Sequence, residues 1–406
     1  MQSALFMSRL WTTWSRVNRA AQDRPVYLYG ASVDWAPKAI EKLQSGVVAI
    51  IDKEAESLDS FEGIVTVSLD DVPMDDDPFI IVTTGSYQPV VNQLVSQGLS
   101  PGDDVVCSPD FEDYASLEEL KSLDIQVLFS SPDYADPSRA RGSARGGGLF
   151  TLETASGDIE RVYEGSIRQF ERLSDGTVLL VDGDDGSLSR VDESFNPIRT
   201  VALDGTQPCG LAVNEADGVV YVIDSKEDTI HRFTLDELST IDVSYFTTEA
   251  KSGHHHVNDC CVHDGMLYLS YFSFSGNFRK RVFDGGVATY DFAADGVLSQ
   301  IISGLYKPHS PCVIDGDIHV VDSMTGRVMR GDKTTICTIP GFARGLNKTA
   351  EFYVVGQSEN MYLSEMRLQE STLMLNCGIH VVNPTADASL FFDVSQVTNI
   401  HDVAVY

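Results

Sequence analysis

A short unit recurs in this chain from residue 167 to the C-terminal end and indicates its fold class. Each copy contains an apolar strand, a tight turn around a glycine and a second apolar strand. Repetition of such a unit indicates a repeat architecture in which neighbouring units bury a shared core. The copies cover residues 167–183, 207–225, 255–272 and 307–323, a degenerate copy at 342–357, and the beginning of another at 399–406.

Further strand signals surround each copy. A third strand follows the unit, and a fourth precedes the next copy. Four strands in each of six units predict an all-β propeller with six blades. The third strands are predicted at residues 186–192, 229–233, 285–291 and 326–330.

The last copy contains only a first strand, so its other three strands must come from elsewhere in the chain. Residues 125–131, 147–153 and 158–163 match the missing second, third and fourth strands. We therefore predict that the C-terminal strand completes a blade begun at the N-terminal end of the propeller. This closure leaves no unpaired strand edge along the ring.

The first part of the chain has a different pattern, in which apolar strands alternate with helical segments. Strands are predicted within residues 26–30, 47–52, 78–86 and 103–109. Such alternation predicts a parallel sheet with helices on its faces. We expect two domains, an α/β Rossmann-like domain and the propeller, over residues 1–120 and 124–406.

The turn after the first predicted strand begins at Gly30, and Asp52 ends the second strand. This arrangement resembles half of a dinucleotide-binding fingerprint, although Ser32 and Trp35 stand where the fingerprint has glycines. It looks like the small Rossmann-like modules attached to proteins of sugar and surface-polysaccharide metabolism. A turn at Gly85 also joins a strand to a helix, whose amides could hold an anion. One hypothesis is a nucleotide or nucleotide-sugar site comprising Gly30, Ser32, Asp52 and Gly85, and the other is a structural or interaction role.

The amino-acid composition limits the classes of partner that this chain is expected to bind. The formal net charge is −31, which argues against binding of nucleic acid or anionic membranes, because both need a basic face. Residues 1–22 are interrupted by Arg9, Arg16 and Arg19, so they do not read as a signal peptide. Their helical periodicity predicts a helix packed on the first domain, and their basic and aromatic character makes a membrane-surface helix the alternative. Seven scattered cysteines without a CxxC motif favour thiols and a cytoplasmic location.

One repeat supports a family resemblance. Residues 208–225, with the pattern P-x-G-L-A-V followed by D-G-x-V-Y-V-x-D-S, resemble NHL-repeat and gluconolactonase/regucalcin-type six-bladed propellers. HVND (256–259), GLYKPHSP (304–311) and VVDS (320–323) resemble an uncharacterised bacterial propeller family. The related lactonases use Glu, Asn and Asp around a divalent metal. Cys209 stands where their motif has Asn, so the resemblance implies the fold and not lactonase activity.

The alignment of the copies predicts a ring of side chains around the axis, because the first strand of each blade lines the centre of a propeller. Each copy supplies one equivalent position, counted from its turn. All six residues at these positions can form hydrogen bonds or bind metal. They are Gln169, Cys209, Asn258, His309, Arg344 and His401.

Histidines and an amide converging on one axis could hold a divalent cation such as zinc, calcium or manganese. The candidate metal ligands are His256, Asn258, His309 and His401. The alternative is a hydrogen-bonded polar channel filled with water.

The same region contains candidate catalytic groups. His309 and His401 would bind metal or transfer protons, and Arg344 would hold a carboxylate or phosphate. Asp259 or Asp402 would orient a histidine or act as a base. Three further residues would contact the substrate: Gln169, Cys209 and Ser310.

Three insertions, at residues 132–146, 272–284 and 357–376, are predicted on the propeller face where the ring opens. Long loops on one face of a rigid scaffold commonly carry function. Two of them are basic within an acidic chain and could steer an anionic ligand, although they could equally pair with acidic neighbours or dock the first domain. Their basic residues are Arg139, Arg141, Arg145, Arg279, Lys280 and Arg281.

The leading functional hypothesis is a metal-dependent hydrolase, lyase or epimerase acting on an anionic small molecule, such as a sugar or nucleotide-sugar derivative. The second is a non-catalytic scaffold or ligand-binding protein whose loop-rich face binds a protein or glycan. The third is a nucleotide-sensing regulator with its ligand on the first domain.

Overall fold

The structure is a computed structural model, and the chain divides into two compact units, Met1–Ser122 and Leu123–Tyr406. Within the residues that the structure describes, no helix has both the length and the apolar character needed to span a membrane. The described residues are 9–111, 117, 119–136, 138, 146–203, 207–247, 254–292, 296–359, 362–366 and 372–406.

The N-terminal unit is built on one six-stranded sheet with β1 (Val26–Tyr29) at its centre. On one side, β2 (Val47–Ile51) and then β4 (Ile64–Val67) run parallel to β1. On the other side, β5 (Phe79–Val82) and β6 (Val105–Cys107) are also parallel. The short β3 (Ser60–Phe61) pairs antiparallel with β4 at the edge. The sequence analysis missed β3 and β4, because these short strands are only partly buried and lack a strong apolar run.

Helices cover both faces of this sheet. On one face, α1 (Trp14–Ala20) and α2 (Ala36–Lys42) pack against alternate residues of β1. On the other, α3 (Tyr87–Ser96) packs through Val91 and Leu94. The described part of the predicted N-terminal helix therefore contributes Val17 to the core of its own unit.

The second unit is a six-bladed β-propeller, which confirms that part of the fold prediction. Every blade is a four-stranded antiparallel sheet. Blade 1 contains β10 (Ile167–Arg172), β11 (Val178–Asp182), β12 (Ser187–Val191) and β13 (Pro197–Ala202); blade 2, β14 (Pro208–Asn214), β15 (Val219–Asp224), β16 (Thr229–Thr234) and β17 (Thr240–Tyr245); blade 3, β18 (Val257–His263), β19 (Met266–Tyr271), β20 (Gly285–Asp291) and β21 (Gly296–Leu305); blade 4, β22 (Pro308–Ile314), β23 (Asp317–Asp322), β24 (Arg327–Arg330) and β25 (Thr335–Thr338); blade 5, β26 (Phe342–Thr349), β27 (Phe352–Ser358), β28 (Gly378–Asn383) and β29 (Ala388–Asp393); blade 6, β30 (Asp402–Val405), β7 (Gln126–Ser131), β8 (Gly148–Glu153) and β9 (Asp158–Glu164).

The ring closes through the C-terminal strand. β30 pairs antiparallel with β7, so that Asp402 lies opposite Ser130 and Val405 opposite Val127. The inner strands β10, β14, β18, β22, β26 and β30 contact one another in turn around the axis. We call the face at which these inner strands begin the mouth. The loops between the second and third strands of each blade also lie on that face, because the strands are antiparallel.

Aspartates at the ends of second strands fix the chain where it enters an inner strand. Each carboxylate accepts a hydrogen bond from a backbone N–H just before an inner strand of the same blade, which orients the mouth loops. The pairs are Asp182 with Ser166 (3.1 Å), Asp224 with Gln207 (3.0 Å) and Asp322 with Tyr306 (2.7 Å).

Five inner strands shift register near the positions aligned as the ring. A β-bulge of this kind bends the strand and changes the direction of its side chains. In β22 and β26 the bulge includes residues with left-handed backbone, Ser310 (φ +54°) and Gly345 (φ +75°). The shifts fall between Ile167 and Phe170, Pro208 and Gly210, Val257 and Asp259, His309 and Cys312, and Arg344 and Leu346.

Candidate axial site

The six residues predicted to form the ring are all buried, and none exposes more than 6% of its surface. They lie on or directly beside the inner strands of the six blades. The region therefore concentrates polar and ionisable groups in a part of the propeller where an apolar core would otherwise be expected.

His309 is held by two hydrogen-bond partners at its Nδ1 atom. Nδ1 lies 3.1 Å from the backbone oxygen of Lys307 and 2.8 Å from Oγ of Ser323. Because a carbonyl oxygen only accepts, this contact favours the tautomer with the proton on Nδ1. A neutral His309 then carries its lone pair on Nε2, the atom with which imidazole accepts a proton or binds a metal. The ring stands perpendicular to that of His401, with 6.0 Å between centroids.

Arg344 is fixed at the junction of blades 5 and 6. Its Nη2 donates to Oγ of Ser358 (2.9 Å) and to Oδ1 of Asn399 (3.3 Å). The amide of Asn399 donates in turn to Asp133 (2.7 Å), which is itself buried. The guanidinium is thus oriented by Ser358 and Asn399, and Asn399 in turn bonds to the Asp133 carboxylate.

Asp259 joins several blades through a set of hydrogen bonds that we call the axial belt, formed by Gln169, Asp259 and Ser310. Oδ1 of Asp259 accepts from the side-chain amide of Gln169 and from its neighbour's backbone N–H, and Oδ2 accepts from the Ser310 N–H (2.7 Å). The carbonyl oxygen of the Gln169 side chain accepts from the Leu211 N–H, and Ser310 Oγ accepts from the Gly345 N–H (2.8 Å). The belt therefore connects the inner strands of blades 1 to 5.

Burial raises the pKa of Asp259 to about 7, while its N–H donors and the charge of Arg344 act in the opposite direction. Burial, together with the charges of Asp259 and Glu171, also raises the pKa of Asp402 well above its usual range. Asp259 is therefore able to exchange protons near neutral pH.

Cys209 and Asn258 connect neighbouring strands. The Cys209 thiol lies 3.5 Å from the carbonyl oxygen of Ile223, and burial raises its pKa to about 12, so it remains protonated. Asn258 donates to the carbonyl oxygen of Pro308 (2.9 Å) and accepts from Ser270 Oγ (3.1 Å). Both residues have a structural role in addition to any contact with a ligand. All seven cysteines of the chain are thiols.

Aromatic residues surround the mouth side of the histidines. His256 packs against Phe272 and Phe278, with 4.4 and 4.5 Å between ring centroids. Phe272 also packs edge-on against His309 (5.3 Å), as does Phe342 (5.7 Å). His309 therefore lies in a largely aromatic setting, which lowers the local polarity around its proton.

Lys307 is almost fully buried, with 2% of its surface exposed. Its Nζ lies 2.9 Å from Glu365 Oε2 and 3.3 Å from the centroid of the Tyr362 ring. Glu365 belongs to α4 (Leu363–Met366), within the third insertion, and also pairs with Arg281 of the second insertion (2.6 Å). Burial lowers the pKa of Lys307, and the Glu365 carboxylate opposes this effect. Glu365 thus ties two insertions to the strand that carries His309.

The basic residues of the insertions have different surroundings. Arg279, Lys280 and Arg281 are exposed. Of these three, Arg281 forms an ion pair with Glu365, so one of the predicted basic residues is bound to an acidic neighbour. The other basic residues predicted in the insertions lie outside the described residues; they are Arg139, Arg141 and Arg145.

The proposed metal ligands are not brought together as one set. Across the described part of the chain, no group of three or more His, Cys, Asp or Glu side chains is arranged to share a metal ion. His309 and His401 are neighbours, whereas His256 packs among aromatic rings and Asn258 bonds to Pro308 and Ser270. A metal site at the axis stays a prediction.

The candidate cofactor residues of the N-terminal unit lie near the ends of parallel strands. Asp52 accepts hydrogen bonds from the backbone N–H groups of Ala31 and Glu54, both at 2.9 Å. Its carboxylate therefore stabilises the turn after β1. Gly30 has φ +109°, and a Cβ there would lie 2.7 Å from Cβ of Thr84. Ser32 Oγ accepts from the Asp34 N–H (3.2 Å), and Gly85 lies just before α3.

Sequence reasoning missed three charged residues near the mouth: Arg168, Lys307 and Glu365. Arg168 directly precedes Gln169, and Lys307 lies two residues before His309. The alignment missed both because it selected one position in each strand. Glu365 could not be found by alignment, because it lies in an insertion that only one blade contains.

Comparisons with known proteins support the fold and leave the activity open. No curated protein matches the chain. A family described as a domain of unknown function (DUF4915) matches residues 243–406. The solved structure of a nidogen/laminin complex is similar over 69% of this chain and 98% of that chain, at 12% identity and a TM-score of 0.50. A protein of unknown function from Bacteroides caccae covers 70% and 99%, at 11% identity and a TM-score of 0.49. The six four-stranded sheets, together with the similarity to the nidogen/laminin structure, show the six-bladed β-propeller fold.

Proposed function

We propose that this protein is an enzyme that binds an anionic small molecule at the mouth of the propeller axis and acts on it by acid–base chemistry. The observation that carries the proposal is the contact between the His309 and His401 rings, with 6.0 Å between centroids, in a ring of inner-strand residues that also contains the buried cation Arg344. Ionisable groups gathered at one end of a rigid scaffold are a common mark of catalytic sites.

The orientation of His309 suits proton transfer. Its Nδ1 is directed to Lys307 and Ser323, so Nε2 is the atom that would accept a substrate proton. His401 is close enough to serve as a second acid or base across the same space. Arg344 would hold a carboxylate or phosphate of the substrate through charge-assisted hydrogen bonds. Elimination, epimerisation and hydrolysis all fit two such groups, with a sugar or nucleotide-sugar derivative as the substrate class.

We derive no step through a metal ion, because the described residues do not gather the ligands that one would need. Metal dependence is tested separately by elemental analysis of protein purified without an affinity tag. Near-stoichiometric zinc, manganese or calcium that disappears in the H309A/H401A double variant would assign the histidines to metal binding rather than proton transfer.

The experiment for the main proposal has two steps. Anionic sugar derivatives are first screened for binding by thermal shift, and those that bind are tested for turnover. We then expect H309Q and H401Q each to lower kcat by about 100-fold or more, the range usual for loss of a general acid or base. His263→Gln, at an exposed histidine in the same propeller, is the matched control. Full turnover in both axial variants would refute the assignment.

A second candidate is a non-catalytic protein that binds a protein or glycan through the mouth. It is favoured by exposed apolar residues in the second and third insertions, including Phe274 (42% exposed) and Leu375 (45% exposed). Met366 of the third insertion is instead buried, and Tyr362 packs against Phe342. A glycan array probed with the wild type and with the F274S/L375S variant would test this candidate, since only the wild type should bind.

The Rossmann-like character of the N-terminal unit and its binding of a nucleotide remain a further proposal. The order β4-β2-β1-β5-β6 supports it, because nucleotides bind where the strand order reverses beside the first strand. The engagement of Asp52 with its own turn weighs against it. Calorimetric titration of the full chain with ADP and UDP decides the matter.

A further inference from the structure

One buried cation of the propeller has no counter-charge among the residues that the structure describes. Arg168 is the second residue of β10 and exposes 6% of its surface. Its Nε is buried without a hydrogen-bond partner, and among the described residues its guanidinium forms no ion pair. The other cations near the mouth differ, since Arg344 donates to Ser358 and Lys307 pairs with Glu365.

An arginine guanidinium keeps its positive charge in a protein interior. An uncompensated charge in a protein interior is strongly unfavourable, so buried arginines are almost always paired. The charge of Arg168 therefore calls for an anion that the described chain does not supply.

The surroundings of Arg168 accommodate its guanidinium beside a glycine. Its Nε is in close contact with Gly183, where any side chain would collide with the guanidinium. In two other blades a serine, Ser225 or Ser323, follows the equivalent aspartate, whereas blade 1 has glycine after Asp182. That glycine makes space for the arginine head at the end of β11.

The aspartate that ends β11 is engaged with backbone N–H groups rather than with Arg168. Asp182 accepts from the backbone N–H groups of Ser166 (3.1 Å) and Asp184 (2.7 Å). The backbone of Arg168 is fixed as well, because its carbonyl oxygen accepts from Ser130 Oγ of the closing blade (2.6 Å). The backbone of Arg168 is therefore fixed in its strand, and among the described residues its guanidinium has no ion-pair partner.

We propose that Arg168 is an anion-binding subsite that takes a carboxylate or phosphate group of a small molecule entering at the mouth. Both groups present paired oxygens that match the two-pronged geometry of a guanidinium. The inference rests on the proposed function in one respect: it assigns the anion bound by Arg168 to the substrate that Arg344 would bind. Two arginine subsites then imply a substrate with more than one anionic group.

The test uses the full-length protein in chloride buffer at constant ionic strength. Thermal unfolding and calorimetric titration are followed while inorganic phosphate or malonate is added. The variants are Arg168→Met, which removes the charge, Arg168→Lys, which keeps it without the two-pronged geometry, and Arg190→Met as the control. Arg190 is a propeller arginine whose charge is already paired with Asp175 (2.5 Å).

We expect a saturable rise in Tm of the wild type and of Arg190→Met, and at least tenfold weaker binding in Arg168→Met, with Arg168→Lys between them. A response to phosphate alone identifies a phosphate subsite, and one to malonate alone a carboxylate subsite. An equal response in Arg168→Met, or no saturable response in the wild type, would overturn the proposal. Because the readout is binding and not turnover, its outcome is separate from that of the His309 and His401 variants.

Discussion

The pKa of Asp259 allows a direct measurement of how the axial belt affects stability. Burial raises this pKa from 3.8 to about 7. A carboxyl whose pKa is raised by folding stabilises the native state in its protonated form, so its contribution is complete below pH 3.8 and declines as the pH rises towards 7. Between about pH 5 and about pH 8, the two pKa values imply a loss of about 3 kcal/mol in the free energy of unfolding.

The D259N variant isolates this contribution, because it removes the titration and leaves other groups in place. We expect the stability of the wild type relative to D259N to fall by about 3 kcal/mol between these pH values, measured by urea unfolding. The amide also leaves the Ser310 N–H without its acceptor, at a cost of about 1–3 kcal/mol that does not vary with pH. The pH dependence of the difference is therefore the readout, not its absolute size.

Two controls make the result specific. Asp315 is an exposed carboxylate, and its hydrogen bond and ion pair with Lys348 lower its pKa. The stability of the wild type relative to D315N should therefore not change over the same pH range. Measuring D259N also in a D402N background removes the coupling between Asp259 and Asp402. If the difference in the free energy of unfolding between the wild type and D259N stays constant from about pH 5 to about pH 8, the N–H donors outweigh burial in setting the pKa of Asp259. That result would refute the reasoning.

The remaining predictions concern the architecture around the axis. Gly345→Ala should lower the free energy of unfolding by about 1–3 kcal/mol, because φ is +75° and the new Cβ would lie 3.0 Å from the backbone of β30. Gly296→Ala is the control, because a Cβ at that position would have no atom within 4 Å. Glu365→Gln should cost about 2–4 kcal/mol in urea unfolding by leaving Lys307 buried without its counter-charge, whereas Glu237→Gln at a surface pair should cost less than about 1 kcal/mol. Removal of residues 402–406 should expose the edge of β7 and cause aggregation detectable by light scattering, and a soluble variant with wild-type stability would contradict the role of β30.

Much of the propeller could be predicted because its information is local and repeated. The turn glycines and strand patterns of the copies located the first three strands of blades 1 to 4. The degenerate copy at 342–357 located the first two strands of blade 5, and the incomplete last copy implied the closing blade. The same alignment identified inner-strand residues such as Asn258 and His309, which the structure places near the axis. Their roles in function stay predictions.

Other features depend on contacts that the local pattern does not contain. The bulges at Ser310 and Gly345 arise from pairing with partner strands, so strand periodicity gives no sign of them. The surroundings of Lys307 combine residues of two insertions, and their conformation is decided by packing rather than by a repeat. Burial of Arg168 depends on a glycine at the far end of the next strand.

The closure of the ring by β30 also implies a long delay, during synthesis of the chain, between the two strands that form the closing pair. Asp402 and Ser130 are 272 residues apart in the chain. At a translation rate of roughly 5–20 residues per second, β7 would emerge from the ribosome roughly 15–55 s before its partner exists. During that interval a growing array of blades carries an unsatisfied strand edge, a type of surface that chaperones bind. The cell must therefore protect this edge for most of the time it takes to make the propeller.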